Sequence, residues 1–220
     1  MNLILNATVV AATVLGSGMA LPQARRLFTT RRIEGVSAAW VGVSIALNTW
    51  WLIYGLAQDV WVLVPVSAVS LTLYLSIAVI FVRSSGSRVV RGLWSMAAAG
   101  IALGALPLAF LVAGGWPVAG VIVGLCYGLQ LLPAVVTAYR AHDLDGISTG
   151  TWIIALVEST LWLFYGVAAS DVALTAGGSS GVVMASLILV RLHIVRPVVR
   201  PSAESAVDTT GTVIRLIPAR

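Results

Sequence analysis

Seven apolar stretches, each about as long as a bilayer-spanning helix, occupy most of this 220-residue chain. They lie near residues 3–24, 36–56, 60–82, 92–113, 117–138, 147–167 and 170–190, with short interruptions between them. The runs are continuously apolar and roughly twice the length that a tilted membrane strand needs, so they predict helices rather than a strand barrel. A chain that is 59% hydrophobic and 10% charged, with a mean hydropathy of +1.00, cannot cover itself with a polar surface in water. Lipid is its expected solvent, and the expected fold class is an all-α integral membrane protein with seven transmembrane helices.

The basic residues give an orientation, because arginine and lysine are retained on the cytoplasmic side during insertion. All 13 are arginine. With the amino terminus outside, Arg25, Arg26, Arg31, Arg32, Arg83, Arg88, Arg91, Arg140 and every arginine from Arg191 onward fall on the cytoplasmic side. The outer connections then carry Asp59 and Asp171. The formal charge of +5 is thereby explained as topology, and no nucleic-acid partner is implied. The first run has no positively charged start, so it reads as a retained helix and not as a signal peptide. Absence of lysine together with abundant Ala, Val and Gly points to a GC-rich bacterial genome, hence to a bacterial inner membrane with the carboxyl terminus inside.

An internal repeat organises the chain. An ungapped shift of 111 residues superposes 21–56 on 132–167, with nine identities in 36 positions. Leu21-Pro22 meets Leu132-Pro133, Gly35 meets Gly146, Ser37 meets Ser148, and Thr49 meets Thr160. Trp51-Leu52 meets Trp162-Leu163, and Tyr54-Gly55 meets Tyr165-Gly166. Matching Pro, Gly, Trp and Tyr in one register is far harder to obtain by chance than matching Leu or Val. Three spans per copy would leave the second copy inverted; the extra run at 92–113 restores a parallel arrangement. The expected units are a first three-helix repeat over 1–83, a linker with the fourth helix over 84–115, a second repeat over 116–192, and a cytoplasmic tail over 193–220.

These residues resemble a known family. Leu21-Pro22-Gln23, Glu34-Gly35-Val36-Ser37 and Trp51-Leu52-Ile53-Tyr54-Gly55-Leu56 are similar to the signatures of the PQ-loop family, in particular the SWEET and SemiSWEET sugar transporters. Leu132-Pro133, Asp145-Gly146-Ile147-Ser148 and Trp162-Leu163-Phe164-Tyr165-Gly166 repeat the pattern. The resemblance implies two parallel three-helix bundles joined by a linker helix, covering about residues 3–190, and inner-gate hinges at Pro22, Gln23 and Pro133. Physically, each proline either loosens a helix as a bending point or terminates it at the membrane face. The second copy has Ala134 where the first has Gln23, so the two gates are unequal.

Polar groups in the apolar runs mark a bundle interior or a cavity. Asn48 shares a helix face with Ser44 and Trp51, and Glu158 shares one with Trp162 and Tyr165. Aromatic rings beside hydrogen-bonding groups suit a polyhydroxylated solute, which stacks an apolar face on a ring and pairs its hydroxyls with amides. An interhelical polar clasp is the other use of Asn48. Glu158, the one ionisable residue deep in a span, has three: a proton site in a coupled cycle, an orienting group for substrate, or a clasp as a neutral acid. Sugar-transporting relatives place an asparagine on the third helix of each unit, but here the matching positions are Ser67 and Gly178. Ser70, Ser179 and Ser180 either compensate or serve as small packing residues. The expected substrate contacts are therefore Asn48, Trp51, Ser67, Tyr127, Gln130, Glu158, Ser159 and Trp162.

Trp40, Trp50, Trp61, Trp94, Trp116 and Trp152 fall near span ends and are expected as interface anchors. Cys126, His142 and His193 have no companion ligands, so no metal or cofactor is implied. Nor is there a nucleophile–base set, a carboxylate pair or a phosphate loop that would indicate an enzyme. The sequence thus predicts a facilitative carrier of a small sugar working by alternating access. The alternatives are a proton-coupled carrier of another solute such as an amino acid, using Glu158, and a non-transporting receptor or sorting protein.

Overall fold

The apolar runs fold as helices. The computed structural model describes residues 3–30, 37–84, 86, 89–141, 144 and 147–195. Its elements are α1 (Leu3–Thr30), α2 (Ala38–Ala57), α3 (Leu63–Ser84), α4 (Val89–Arg140), α5 (Thr149–Ala168) and α6 (Val172–Val195). Within α1 the side chains of residues 17–24, 26, 27 and 30 lie outside the described set, as do residues 31–36, 142–143, 145–146 and the tail from 196. The signature residues Glu34-Gly35-Val36 and Asp145-Gly146, and most of the tail, therefore fall outside the described residues.

Helices α2 to α6 are long and apolar enough to cross a membrane, and α1 carries a shorter apolar stretch over Leu3–Gly16. Their outward faces are greasy: Leu3, Ile101 and Val112 are 82, 69 and 83% exposed. Acyl chains solvate such a surface and water does not. The chain is an integral membrane protein.

The predicted runs at 92–113 and 117–138 both fall in the 52 residues of α4, where two helices meet across a kink at non-helical Gly115 (φ 68°, ψ −167°). A straight helix of that length would measure about 78 Å, more than twice the hydrocarbon thickness. Instead α4 folds back on itself. Gly42 and Ser44, early in α2, touch Met96 and Gln130 respectively; Trp50 and Tyr54, late in α2, touch Gly104 and Trp116. Residues 89–114 thus run parallel to α2 and residues 116–140 antiparallel to it. The positive φ at the reversal is open to glycine without a Cβ penalty, and Pro117 opens the second limb where a missing N–H costs nothing.

The 111-residue repeat reappears in backbone detail. Ser37 and Ser148 cap α2 and α5 by accepting from the backbone N–H of Trp40 and Thr151. Both helices end in a Schellman turn, with Val60 N–H bonded to Gly55 O at 2.9 Å and Asp171 N–H to Gly166 O at 2.8 Å. The left-handed residue in each is a matched pair too, Asp59 (φ 56°) and Ser170 (φ 55°). Trp51–Tyr54 and Trp162–Tyr165 pack edge to face in both copies.

Close approach at small residues holds the bundle together. The 89–114 limb sits on α2 through Gly100 and Gly104 against Gly42 and Ala46, and Trp50 Nε1 donates to Gly104 O at 2.9 Å. The 116–140 limb meets α6 through Gly120, Gly124 and Gly128. Helices α1 and α4 continue past Pro22 and Pro133, so neither proline terminates its helix.

Candidate functional site

The two copies enclose a cavity of about 390 Å³, lined from all six helices. Asn48 and Trp51 come from α2, Ser67 from α3, Tyr127 and Gln130 from α4, and Glu158, Ser159 and Trp162 from α5, so all eight expected contact residues border one space. Pro133 borders it as well. Pro22 and Gln23 have side chains outside the described residues.

The carboxylate among the described lining residues is on α5. Glu158 is 7% exposed, and both its oxygens accept hydrogen bonds: Trp162 Nε1 donates to Oε1 at 3.0 Å and the Tyr127 hydroxyl to Oε2 at 3.1 Å. The Trp162 bond is the i, i+4 pairing that helical spacing brings within reach. Next to it, Ser159 is 1% exposed and its Oγ has no hydrogen-bond partner. Across the cavity, Asn48 Nδ2 donates to the Ser44 carbonyl at 2.8 Å, a bond within its own helix. Gln130 Nε2 donates to Ser44 Oγ at 2.7 Å and so ties the second copy to the first.

The two third helices differ for a steric reason. Ser67 and Ser70 on α3 are buried and line the cavity, whereas their counterparts on α6 are Gly178 and Gly181. A Cβ at Gly178 would meet Leu163 Cα at 2.5 Å, and one at Gly181 would meet the Tyr127 ring at 2.6 Å and the Ser159 hydroxyl. Helix α5 therefore lies so close to α6 that no side chain fits between them. The nearby Ser180 serves packing, with its hydroxyl donating to Gly177 O at 2.9 Å and Gly124 O at 3.1 Å.

Several tryptophans depart from the anchoring expectation. Trp40 and Trp152 line the cavity, Trp50 clasps Gly104, and Trp116 packs on Tyr54, while Trp61 and Trp94 are 62 and 71% exposed as an anchor would be. Position near a span end does not distinguish the inward from the outward face of a helix.

One end of the cavity is closed by a small apolar cluster and by Asp171, a residue expected in an outer connection. Tyr54, Leu63, Tyr165, Ala173 and Leu174 form a buried cluster, with Trp51, Trp116 and Trp162 packed against it. Above it the Tyr54 hydroxyl donates to Asp171, 3.1 Å from Oδ1 and 3.2 Å from Oδ2. Asp171 also accepts from Leu174 N–H at 2.9 Å, capping α6. The signal was available: Asp171 is one of two carboxylates in the predicted outer connections, and Tyr54 lies in the repeated motif. From this closed end the cavity extends toward Trp40, Ala134 and Thr151, at the end of the bundle that carries Arg83, Arg140 and Arg191.

No protein-family model and no curated protein matches the sequence. Among solved structures, that of a eukaryotic SWEET transporter superposes with a TM-score of 0.66 at 13% identity, covering 87% of this chain and 98% of that one. The chain has the SWEET fold. Within that fold, the two matched copies and the cavity between them are the features that bear on function.

Proposed function

We propose that this protein is a facilitative carrier that moves a small polyhydroxylated solute, a sugar or close relative, across the membrane by alternating access. The observation that carries the reading is the junction cavity: about 390 Å³, bordered by both copies of the repeat and sealed at one end only by a small apolar cluster and one hydrogen bond. A site between two similar units that rock against each other is open to one side at a time. In this reading α4 supplies two spans, giving seven in a 3+1+3 order, and the arginine-bearing end faces the cytoplasm. The cavity is then in an inward-facing state, with the Tyr54–Asp171 seal on the outside. Stacking surfaces come from Trp51 and Trp162, and hydroxyl partners from Asn48, Ser67, Ser159 and Gln130. Pro133 and Pro22 act as the flexible points of the opposite gate. The SWEET likeness supports the architecture that such a cycle needs.

Counterflow in proteoliposomes tests the reading. Vesicles preloaded with unlabelled monosaccharide should take up the labelled form above equilibrium without ATP or an ion gradient. Uptake no faster than in empty vesicles, over a panel of sugars, polyols and amines, would remove it.

A further inference from the structure

The junction cavity contains one carboxylate, and among the described residues no lysine, arginine or histidine lines it. The two groups that hold Glu158, the Trp162 indole and the Tyr127 hydroxyl, are both neutral donors. They fix the direction of the carboxylate without supplying a countercharge. A carboxylate has about four acceptor positions, so roughly half of its capacity remains open. A buried carboxylate with no cation beside it is expensive.

Three further observations describe the surroundings of the carboxylate. First, α1 closes on the carboxylate: a Cβ built on Gly16 would stand 2.9 Å from Oε1, so Glu158 lies where the first helix packs against the second copy. Second, Trp51 and Trp162 present aromatic rings to the same cavity, held edge to face by Tyr54 and Tyr165, and the electron-rich face of an indole attracts a cation within about 6 Å. Third, Ser159, the residue next to Glu158, is 1% exposed and borders the same cavity, with its hydroxyl against the Gly181 backbone of α6.

We propose that the solute is a polyhydroxylated amine, such as an amino sugar or amino alcohol, whose ammonium group pairs with Glu158 while its hydroxyls use Ser159, Asn48 and Ser67. The proposal rests on the carrier reading and narrows its substrate. A neutral sugar would leave Glu158 without a countercharge. An α-amino acid would bring a second carboxylate into a cavity in which no described lining residue is cationic.

The test compares charged and neutral twins on the full-length protein: N-methylglucamine against sorbitol, and protonated glucosamine against glucose. Binding is read from tryptophan fluorescence in detergent and exchange from counterflow in proteoliposomes. The amine of each pair should bind at least about tenfold more tightly, the scale of one charge-assisted contact. Glu158→Gln should erase that preference, read as the ratio of the two affinities within each pair. Should Glu158→Gln not fold, Gly16→Ala, whose methyl group crowds Oε1, serves in its place and should reduce the preference. Equal affinities within each pair, or a preference that survives in these variants, overturn the proposal. Exchange of neutral sugars without amines overturns it while leaving the carrier reading intact; no binding and no exchange of any solute overturns both.

Discussion

The Tyr54 hydroxyl spans from α2 to Asp171 at the head of α6, joining residues 117 positions apart across the interface of the two copies. It is the polar latch at the closed end of the cavity. A hydrogen bond to a charged group contributes about 1.5–3 kcal/mol, so Tyr54→Phe should raise the population open at that end by roughly ten- to a hundredfold. Labelling a cysteine placed at Ser67, in a Cys126→Ala background, with an impermeant maleimide from outside measures it. Asp171→Asn, which keeps a capping side chain on α6, should give a smaller increase. Unchanged labelling in both variants would mean that the apolar cluster alone holds the seal.

The latch has no twin. Tyr165 is the counterpart of Tyr54, but the position matching Asp171 is Val60, whose side chain offers no acceptor. The backbone there is ready for one, since Val60 and Asp171 occupy the same place in matched Schellman turns. Val60→Asp should therefore cap α3 and add a second latch. We expect stabilisation of about 1 kcal/mol, a rise in melting temperature of roughly 2–4 °C, and slower exchange. A fall in melting temperature would argue that the two ends of the seal are not equivalent.

Gly178 is a contact and not a vacancy. Replacing it with serine to copy Ser67 should push α6 away from the Leu163 backbone instead of adding a substrate contact. Overpacking of this sort costs about 1–3 kcal/mol and lowers the melting temperature by several degrees, on the order of 2–4 °C per kcal/mol. Solute affinity should drop. Tighter binding in a Gly178→Ser variant would show that α6 has slack that the geometry does not suggest.

Pro133 lies inside α4 with seven further helical residues after it, and its carbonyl accepts from the Thr137 hydroxyl at 2.8 Å. Restoring the N–H with Pro133→Ala should tighten the ladder at this point and slow exchange by on the order of tenfold, about 1.4 kcal/mol of barrier. Equilibrium binding of the solute should stay nearly unchanged. Affinity and exchange falling together would instead give Pro133 a role in shaping the cavity.

The helices and the repeat were legible because both rest on local sequence: continuous apolar runs fix helices, and a shared register of Pro, Gly, Trp and Tyr fixes the duplication. Helical spacing likewise put Glu158 and Trp162 on one face, where the structure bonds them. Gly178 read as a lost polar contact, because spacing along one helix carries no information on how closely another approaches. The Tyr54–Asp171 latch escaped for a similar reason; its partners meet only when α2 and α6 pack across the junction. Trp40 and Trp152 read as anchors, since depth in the membrane can be counted along a run but the direction a ring faces depends on its neighbours.

Gly115 has a mechanical consequence. The limb before it is fastened to α2 and α3 through Gly100, Gly104 and Met96, whereas the limb after it meets α6 along a glycine stripe. In the proposed transport cycle the extra span would travel with the first copy as ballast, so that four spans would rock against three about a pivot one residue long. Stiffening that pivot with any side chain would hinder the movement without touching the solute, which makes Gly115 a place where transport rate could be tuned separately from affinity.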